Sequence, residues 1–197
     1  MNYAKIDDFE YVNGEGIGVS LFVSGCHFHC ENCFNKEAWN FNFGSEWTEE
    51  VKNKFMKLLD DEHIKRVSFL GGEPLCNENV QEICNIISEI KIKYPDKKIW
   101  LYTGYTANLK MVPMYNPECN DKSKYPCFWM EPADGIQNEF FDYARELIVG
   151  VVDVLVDGQY IDSERDLSLK FKGSKNQRLI DVQKSLREQS VILYGGK

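Results

Sequence analysis

The sequence predicts an α/β fold whose sheet is mostly parallel. Short apolar segments rich in β-branched residues alternate with segments of helical period, which is typical of strands joined by crossover helices. Glycine follows three of the apolar segments within two residues, at Gly25, Gly71 and Gly104, so each of these strands is expected to end in a turn. The length of 197 residues is enough for one domain with a substantial core.

The first predicted strand covers residues 19–23 and leads into a loop that carries three cysteines. Its five residues are mainly apolar and β-branched, which favours a buried strand. Residues 3–15 before it are polar and hold a turn signal at 13–16, and no strand is predicted for them.

A helix is predicted over residues 45–61. Thr48 is a suitable N-cap, and the apolar residues that follow recur at the spacing of a single helix face. These apolar residues are Val51, Phe55, Leu58 and Leu59.

A second strand, a second helix and a third strand are predicted over residues 66–70, 77–94 and 99–103. Pro95 ends that helix, because proline cannot continue it.

The alternation breaks near Met111. Residues 111–135 contain four prolines as well as Cys119 and Cys127, so an irregular loop or small insertion is expected. Helical period resumes over residues 138–147, and residues 151–156 form a fourth predicted strand.

Composition and charge exclude several classes of protein. The chain has 23 basic and 31 acidic residues and a net charge of −8, so no basic stripe is available for nucleic acid. The sequence contains neither a long apolar run nor a basic-then-apolar leader, so a cytoplasmic protein without a membrane span is expected. Seven cysteines in such a protein indicate free thiols and a metal site rather than disulfides.

The three cysteines Cys26, Cys30 and Cys33 lie within eight residues. Thiolates that converge in this way bind a metal ion or an iron–sulfur cluster. A structural zinc site would need a fourth ligand, such as His27 or His29, whereas a cluster held by three cysteines leaves one iron without a protein ligand. Both interpretations remain open on spacing alone, and we expect the two histidines to pack near the site rather than to ligate.

Residues 71–74, Gly-Gly-Glu-Pro, directly follow the second predicted strand. Glycines and proline suffice for an ordinary strand-to-helix turn, but two glycines also let the backbone approach a ligand closely. Because the carboxyl ends of parallel strands meet at one edge of a sheet, this turn is expected beside the cysteine loop.

The cysteine spacing followed by Gly-Gly-Glu-Pro resembles the radical S-adenosylmethionine (SAM) superfamily. Within it, the chain is similar to the activating proteins of anaerobic ribonucleoside-triphosphate reductases, and the match spans nearly the whole chain outside 111–135. The stretches that carry the closer match are residues 14–17, 21–26, 33–36, Trp39, 102–105, 153–158 and 173–178.

This resemblance implies an α/β partial (βα) barrel of radical SAM type, formed by residues 1–197 with an insertion at about 111–135. It also implies a radical SAM oxidoreductase with a [4Fe-4S] cluster on Cys26, Cys30 and Cys33. The predicted SAM contacts are Asn32, Cys33, Phe34, Gly71, Gly72, Glu73 and Pro74, with Glu73 accepting from the SAM ammonium group. No catalytic residue is expected beyond these ligands.

By the same resemblance, reductive cleavage of SAM to a 5′-deoxyadenosyl radical would generate the glycyl radical of the reductase under anaerobic conditions. The implied partners are that reductase, a flavodoxin-like or other one-electron donor, and a second copy of the chain in a homodimer.

The chain departs from the pattern of the superfamily at two positions: Asn32 stands where an aromatic residue is frequent, and Gly18 where the branch often has arginine. Two alternatives are a radical SAM enzyme for a small-molecule substrate and a non-catalytic binding module stabilised by zinc.

Overall fold

The computed structural model describes residues 1–113, 124–131 and 139–195. The described residues contain nine β-strands and four α-helices. The strands are β1 (Asn2–Glu10), β2 (Gly18–Val23), β3 (Ser45–Glu46), β4 (Arg66–Gly71), β5 (Lys98–Tyr102), β6 (Thr106–Pro113), β7 (Lys124–Glu131), β8 (Val154–Asp157) and β9 (Arg178–Asp181). The helices are α1 (Glu49–Leu58), α2 (Asn77–Lys93), α3 (Glu139–Val151) and α4 (Val182–Glu188).

Seven of the strands form one mixed sheet in the order β3-β1-β2-β4-β5-β8-β9. The four central strands β2, β4, β5 and β8 are parallel, and β1 and β9 flank them as antiparallel strands. The loops after the four parallel strands therefore gather at one edge of the sheet. The predicted α/β class with a mostly parallel sheet is confirmed.

The sheet buries apolar side chains on both faces, because neighbouring residues of a strand point to opposite sides. On β5, Ile99 and Leu101 belong to the main core, which also contains the apolar faces of α1, α2 and α3. Trp100 between them points to a smaller cluster, which Phe171 and Tyr194 help to cover. The α-helices of the main core thus pack against one face of the sheet.

The predicted strands at 19–23, 66–70 and 99–103 and the first two predicted helices are confirmed, with ends shifted by a few residues. The Thr48 side chain caps α1 by accepting a hydrogen bond from the backbone N–H of Val51 at 3.3 Å. The boundary between the last predicted helix and strand is wrong: α3 continues to Val151 and β8 begins only at Val154. Val151 and Val152 are not part of the strand: Val151 is the last residue of α3, and Val152 N still donates to the Ile148 carbonyl in the helical pattern.

The N-terminal segment is a strand, which its polar sequence did not predict. β1 pairs with β2 along the edge of the sheet, with irregular register and half-exposed side chains. Backbone hydrogen bonds therefore define it, and the period-2 alternation of a buried strand is missing.

The prediction of an irregular segment at 111–135 is wrong for its paired part. β6 and β7 form a two-stranded antiparallel sheet, in which Met111 lies opposite Pro126. Proline is tolerated here because both strands are edge strands. Ala107, Phe128 and Met130 of this hairpin pack into the main core. Cys119, the other cysteine of the expected irregular segment, lies outside the described residues.

Among the described residues, no helix combines the length and the apolar character needed to cross a bilayer.

Candidate metal centre

The cysteine loop leaves the carboxyl end of β2, as predicted. Gly25, at φ 93°, turns the chain out of the strand, and its N–H donates to the Ala38 carbonyl at 2.8 Å. The backbone then curls through His29 and Asn32, which adopt left-handed conformations at φ 47° and 53°. A hydrogen bond of 3.1 Å from Cys33 N to Cys30 O closes the last turn of the loop.

All three cysteines of the loop are half-buried free thiols. Burial, assisted by the Glu73 carboxylate, raises the pKa of the Cys26 thiol to about 12, and burial also raises the pKa of Cys30. Cysteine ligands bind metals as thiolates, so assembly of a site on these residues must displace protons.

A backbone N–H group donates to a cysteine sulfur of the loop. Asn35 N donates to Cys33 Sγ at 3.4 Å, and backbone hydrogen bonds from Phe28 and His29 partly oppose the rise in the pKa of Cys26. Such donors stabilise thiolate sulfur, and hydrogen bonds to sulfur are a regular feature of iron–sulfur sites. The chemistry of this donor set therefore fits a cluster bound by three cysteines.

The three sulfur atoms are not closed around a common point. Within the described ranges, no three His, Cys, Asp or Glu side chains are arranged to hold a metal ion. The three cysteines thus lie on one loop at the carboxyl edge of the sheet. Their sulfur atoms would have to move closer together to bind a cluster.

Both histidines of the loop are engaged elsewhere, as predicted. His27 Nε2 lies 2.9 Å from Glu78 Oε1, and its ring stacks on Phe41. The His29 ring packs on Trp39 with centroids 4.7 Å apart. Both rings thus pack or hydrogen-bond beside the cysteine loop, and that neither of them ligates a metal stays a prediction.

The Gly-Gly-Glu-Pro turn is joined to the base of the cysteine loop. Gly72 N donates to Val23 O and Glu73 N donates to Gly25 O, both at 2.7 Å. A Cβ on Gly72 would overlap the Gly25 carbonyl and lie 2.9 Å from Ala38 O, so only glycine fits there. In this structure Gly72 approaches the backbone of the cysteine loop closely, and the approach of the two glycines to a ligand stays a prediction.

Glu73 is buried, at 2% exposure, and its carboxylate accepts three hydrogen bonds. Leu75 N and Thr103 Oγ1 donate to Oε1 at 2.9 and 2.7 Å, and Gly104 N donates to Oε2 at 2.8 Å. Burial raises the pKa of Glu73 to about 7 although these donors favour the ionised form. Glu73 thus braces the loop after β4 against the loop after β5.

Asn79 is a site residue that the sequence did not reveal. It lies in the first turn of α2, at 1% exposure, and its Nδ2 donates to Ser24 O at 2.9 Å and to Glu73 O at 3.0 Å. One buried amide thereby joins the loop after β2 to the loop after β4. An asparagine in an otherwise apolar helix face was the available signal.

The remaining predicted contacts lie around the same loop. Asn32 Nδ2 donates to Asp162 Oδ2 at 2.9 Å, Phe34 is fully exposed, and Pro74 is buried. A cavity of about 360 Å³ opens beside the loop. It is lined by Glu31, Gln159, Tyr160, Ile161, Asp162 and Ser163.

Comparison with known proteins finds relatives along nearly the whole chain. A family model described as a 4Fe-4S single cluster domain matches residues 12–180. Curated relatives include proteins of Vibrio cholerae and Escherichia coli K12, each 32% identical over 179 residues, covering 90% of this chain and 96% of the relative. A protein of enterobacteria phage T4 is 33% identical over 181 residues, covering 91% and 93%. All three are named anaerobic ribonucleoside-triphosphate reductase-activating protein.

Proposed function

The chain belongs to the family of anaerobic ribonucleoside-triphosphate reductase-activating proteins, and on this premise we propose how its own residues carry out the activation. The protein is a radical SAM enzyme that uses a [4Fe-4S] cluster to generate the glycyl radical of its reductase. The names of the relatives favour this function over a small-molecule substrate, and the match to a 4Fe-4S single cluster domain favours it over a zinc-stabilised module.

When bound, the cluster and SAM supply one-electron cleavage of the sulfonium group, which yields methionine and a 5′-deoxyadenosyl radical able to take a hydrogen atom from a glycine. The fold supplies placement and the exclusion of water. Cys26, Cys30 and Cys33 would hold three irons of the cluster, since they are free and half-buried and Cys33 Sγ has an N–H donor.

The observation that carries the proposal is the pair of hydrogen bonds that joins the cysteine loop to the Gly-Gly-Glu turn. These bonds hold the predicted cluster ligands close to the predicted SAM contacts Gly71, Gly72 and Glu73, at the neighbouring carboxyl ends of β2 and β4. A carboxylate offers about four acceptor positions. Three of those on Glu73 are used, so Oε2 retains one for the SAM ammonium group.

We propose that Asn32, Cys33 and Phe34 contact the adenosine part of SAM through their backbone, with Pro74 shaping the opposite turn. The support is the cavity that opens beside this segment and borders Glu31. The Asn32 side chain is bonded to Asp162, so it does not replace the aromatic residue frequent at this position.

We further propose that the sheet is a partial barrel of radical SAM type in a single domain of residues 1–197. The support is that α1, α2 and α3 cover one face of the sheet, as in a barrel wall, and that the parallel strands occupy its centre.

An external flavodoxin-like or other one-electron donor and a cytoplasmic setting complete the proposal, because the chemistry needs an electron and reduced thiols. A homodimer is also proposed. Phe9, Tyr11 and Val12 are 51%, 76% and 68% exposed, and exposed apolar side chains close in the chain favour an interaction surface.

Production of 5′-deoxyadenosine from SAM by the reduced, reconstituted protein tests the enzyme assignment. Cys30→Ala should abolish it, whereas Cys84→Ala, a half-buried thiol on α2, should retain it. Substantial product from Cys30→Ala would refute the ligand assignment. Zinc near one equivalent with no iron in the wild-type protein would refute the enzyme.

A further inference from the structure

The cavity beside the cysteine loop lies between two walls. Glu31 belongs to that loop, and residues 159–163 belong to the turn that follows β8. Its volume of about 360 Å³ is in the range of sites for small molecules. Each wall contributes a carboxylate residue, Glu31 or Asp162. Because an ionised carboxylate only accepts hydrogen bonds, this lining suits a ligand group that brings donors.

Asp162 is bonded to both walls of the cavity. Asn32 Nδ2, from the cysteine loop, donates to Asp162 Oδ2 at 2.9 Å, and the Tyr160 hydroxyl, from the turn, donates to Oδ1 at 2.7 Å. These two bonds hold the pKa of Asp162 below its ordinary value of 3.8, so the group is an ionised acceptor at neutral pH. A carboxylate has about four acceptor positions, and each oxygen of Asp162 therefore keeps one open.

The turn that carries Asp162 is fixed from behind by the 173–178 stretch. Asn176 Nδ2 donates to Gln159 O at 2.8 Å, and Ile161 N donates to the hydroxyl of the buried Ser174 at 3.2 Å. The Asp162 carboxylate is thus held at its backbone by one segment and at its oxygens by another.

The open positions on Asp162 match one part of SAM. Its hydrogen-bond donors are the ammonium group, the adenine amino group and two adjacent ribose hydroxyls, and the ammonium group is already proposed to bind Glu73. A carboxylate accepts readily from a ribose diol, as acidic side chains do in dinucleotide sites. Asn32, which is itself proposed to contact the adenosine part, is bonded directly to Asp162. The ribose would therefore lie within the reach of this carboxylate.

We propose that Asp162 accepts hydrogen bonds from the ribose hydroxyls of SAM and that Asn32 is the positioning residue that aims this carboxylate. The inference rests on the proposed function and deepens it. Asn32 stands where an aromatic residue is frequent in the superfamily, so this chain exchanges a stacking side chain for one that orients a ribose acceptor.

The test is the Kd of SAM, and of its 2′-deoxy and 3′-deoxy analogues, for the reconstituted protein. Equilibrium dialysis without reductant avoids SAM cleavage. Asp162→Ala removes the acceptor, and Asn32→Asp removes the donor while suiting the left-handed backbone at φ 53°. Asp166→Ala is the matched control for the first variant, since this carboxylate bonds to Ser168 and does not line the cavity.

The control for the second variant is Asn40→Asp, an exposed residue beyond the cysteine loop whose side-chain oxygen accepts from Asn42 N. It adds the same charge to the same segment without touching Asp162. Iron per chain is measured for every protein, so that affinities are compared at equal cluster content.

We expect Asp162→Ala to weaken SAM binding by about tenfold, because hydrogen bonds to a charged acceptor are lost. The wild type should bind at least one deoxy analogue about tenfold more weakly than SAM, whereas Asp162→Ala should bind SAM and both analogues within about twofold of one another. Asn32→Asp should reduce the same discrimination, and the two controls should keep it. A residue that only supported the fold would weaken all three ligands equally.

Equal affinity of the wild type for SAM and both deoxy analogues would overturn the inference, and this comparison needs no variant to fold. Wild-type discrimination that persists in Asp162→Ala would overturn the role of Asp162, and discrimination that persists in Asn32→Asp would overturn the role of Asn32. Failure of the proposed function is a different outcome, in which the wild-type protein binds neither an iron–sulfur cluster nor SAM.

Discussion

Thr103 Oγ1 donates a hydrogen bond of 2.7 Å to Glu73 Oε1, and this contact joins the ends of two parallel strands beneath the candidate metal centre. Thr103 also accepts from Tyr105 N at 3.1 Å, so its hydroxyl orders the turn after β5 as well. The relationship explains why a Thr-Gly-Tyr stretch accompanies a Gly-Gly-Glu-Pro turn in this chain: the threonine hydroxyl and the glycine N–H both donate to the same carboxylate.

Thr103→Val should destabilise the protein, because the isosteric side chain leaves a buried carboxylate one donor short. The expected loss is about 1–3 kcal/mol in the free energy of unfolding, measured by denaturant titration of the apoprotein. Thr106→Val, at an exposed position nearby, is the control and should change stability little. Equal stability of the two variants would show that the brace contributes nothing.

Gly72→Ala should strain the junction between the two loops. The new Cβ would meet the backbone oxygens of Gly25 and Ala38, and overpacking of this kind costs about 1–3 kcal/mol. We also expect fewer irons per chain after anaerobic reconstitution, since the base of the cysteine loop has to shift.

The control for that change is Gly150→Ala in α3, where an added Cβ meets nothing within 4 Å. Alanine in a helix is favoured over glycine, so this variant should gain about 0.5–1 kcal/mol. A Gly72→Ala protein with wild-type stability and iron content would contradict the close contact.

Glu10 should make stability depend on pH in the acid range. Burial would raise the pKa of Glu10, but hydrogen bonds from Arg66, from Ser20 and from two backbone amides hold it below its ordinary value of 4.5. The folded state therefore binds this proton more weakly than the unfolded state, so its contribution is complete above about pH 4.5 and is lost as the pH falls through the folded pKa.

Comparison of the wild type with Glu10→Gln, by thermal or denaturant unfolding from pH 3 to pH 7, isolates this contribution. The difference between the two proteins should be largest near neutrality and shrink on acidification. A constant difference across this range would mean that the pair of Glu10 with the buried Arg66, 2.6 Å apart, is not responsible. Glu73 acts with the opposite sign, since its raised pKa lowers stability as the pH rises from about 4.5 to about 7.

The strands and helices that could be predicted are those whose burial shows in the sequence. Residues 19–23, 66–70 and 99–103 are apolar because they are covered on both faces, and α1 and α2 carry a single apolar stripe. β1 has half-exposed side chains and is held by backbone pairing. The β6–β7 hairpin contains prolines and depends on pairing across a long connection, so local pattern did not reveal it.

The site was predictable where covalent chemistry and strand order define it. Three cysteines after one strand and Gly-Gly-Glu-Pro after the next have to meet at the carboxyl edge of a parallel sheet. The contacts of Asn79 and Gln159 could not be predicted, because they depend on which carbonyls face these side chains in three dimensions. The contact of Glu73 with SAM stays a prediction, whereas its hydrogen bonds with Thr103 and Gly104 could be seen only in the structure.

We expect this protein to place a radical on a glycine of an anaerobic ribonucleoside-triphosphate reductase. The most direct measurement mixes the reduced, reconstituted protein with SAM and a panel of such reductases and records electron paramagnetic resonance spectra. We expect a glycyl radical signal on one of the reductases. This signal should require SAM, should be absent with Cys30→Ala and should persist with Cys84→Ala. SAM cleavage without a glycyl radical on any reductase of the panel would contradict the account.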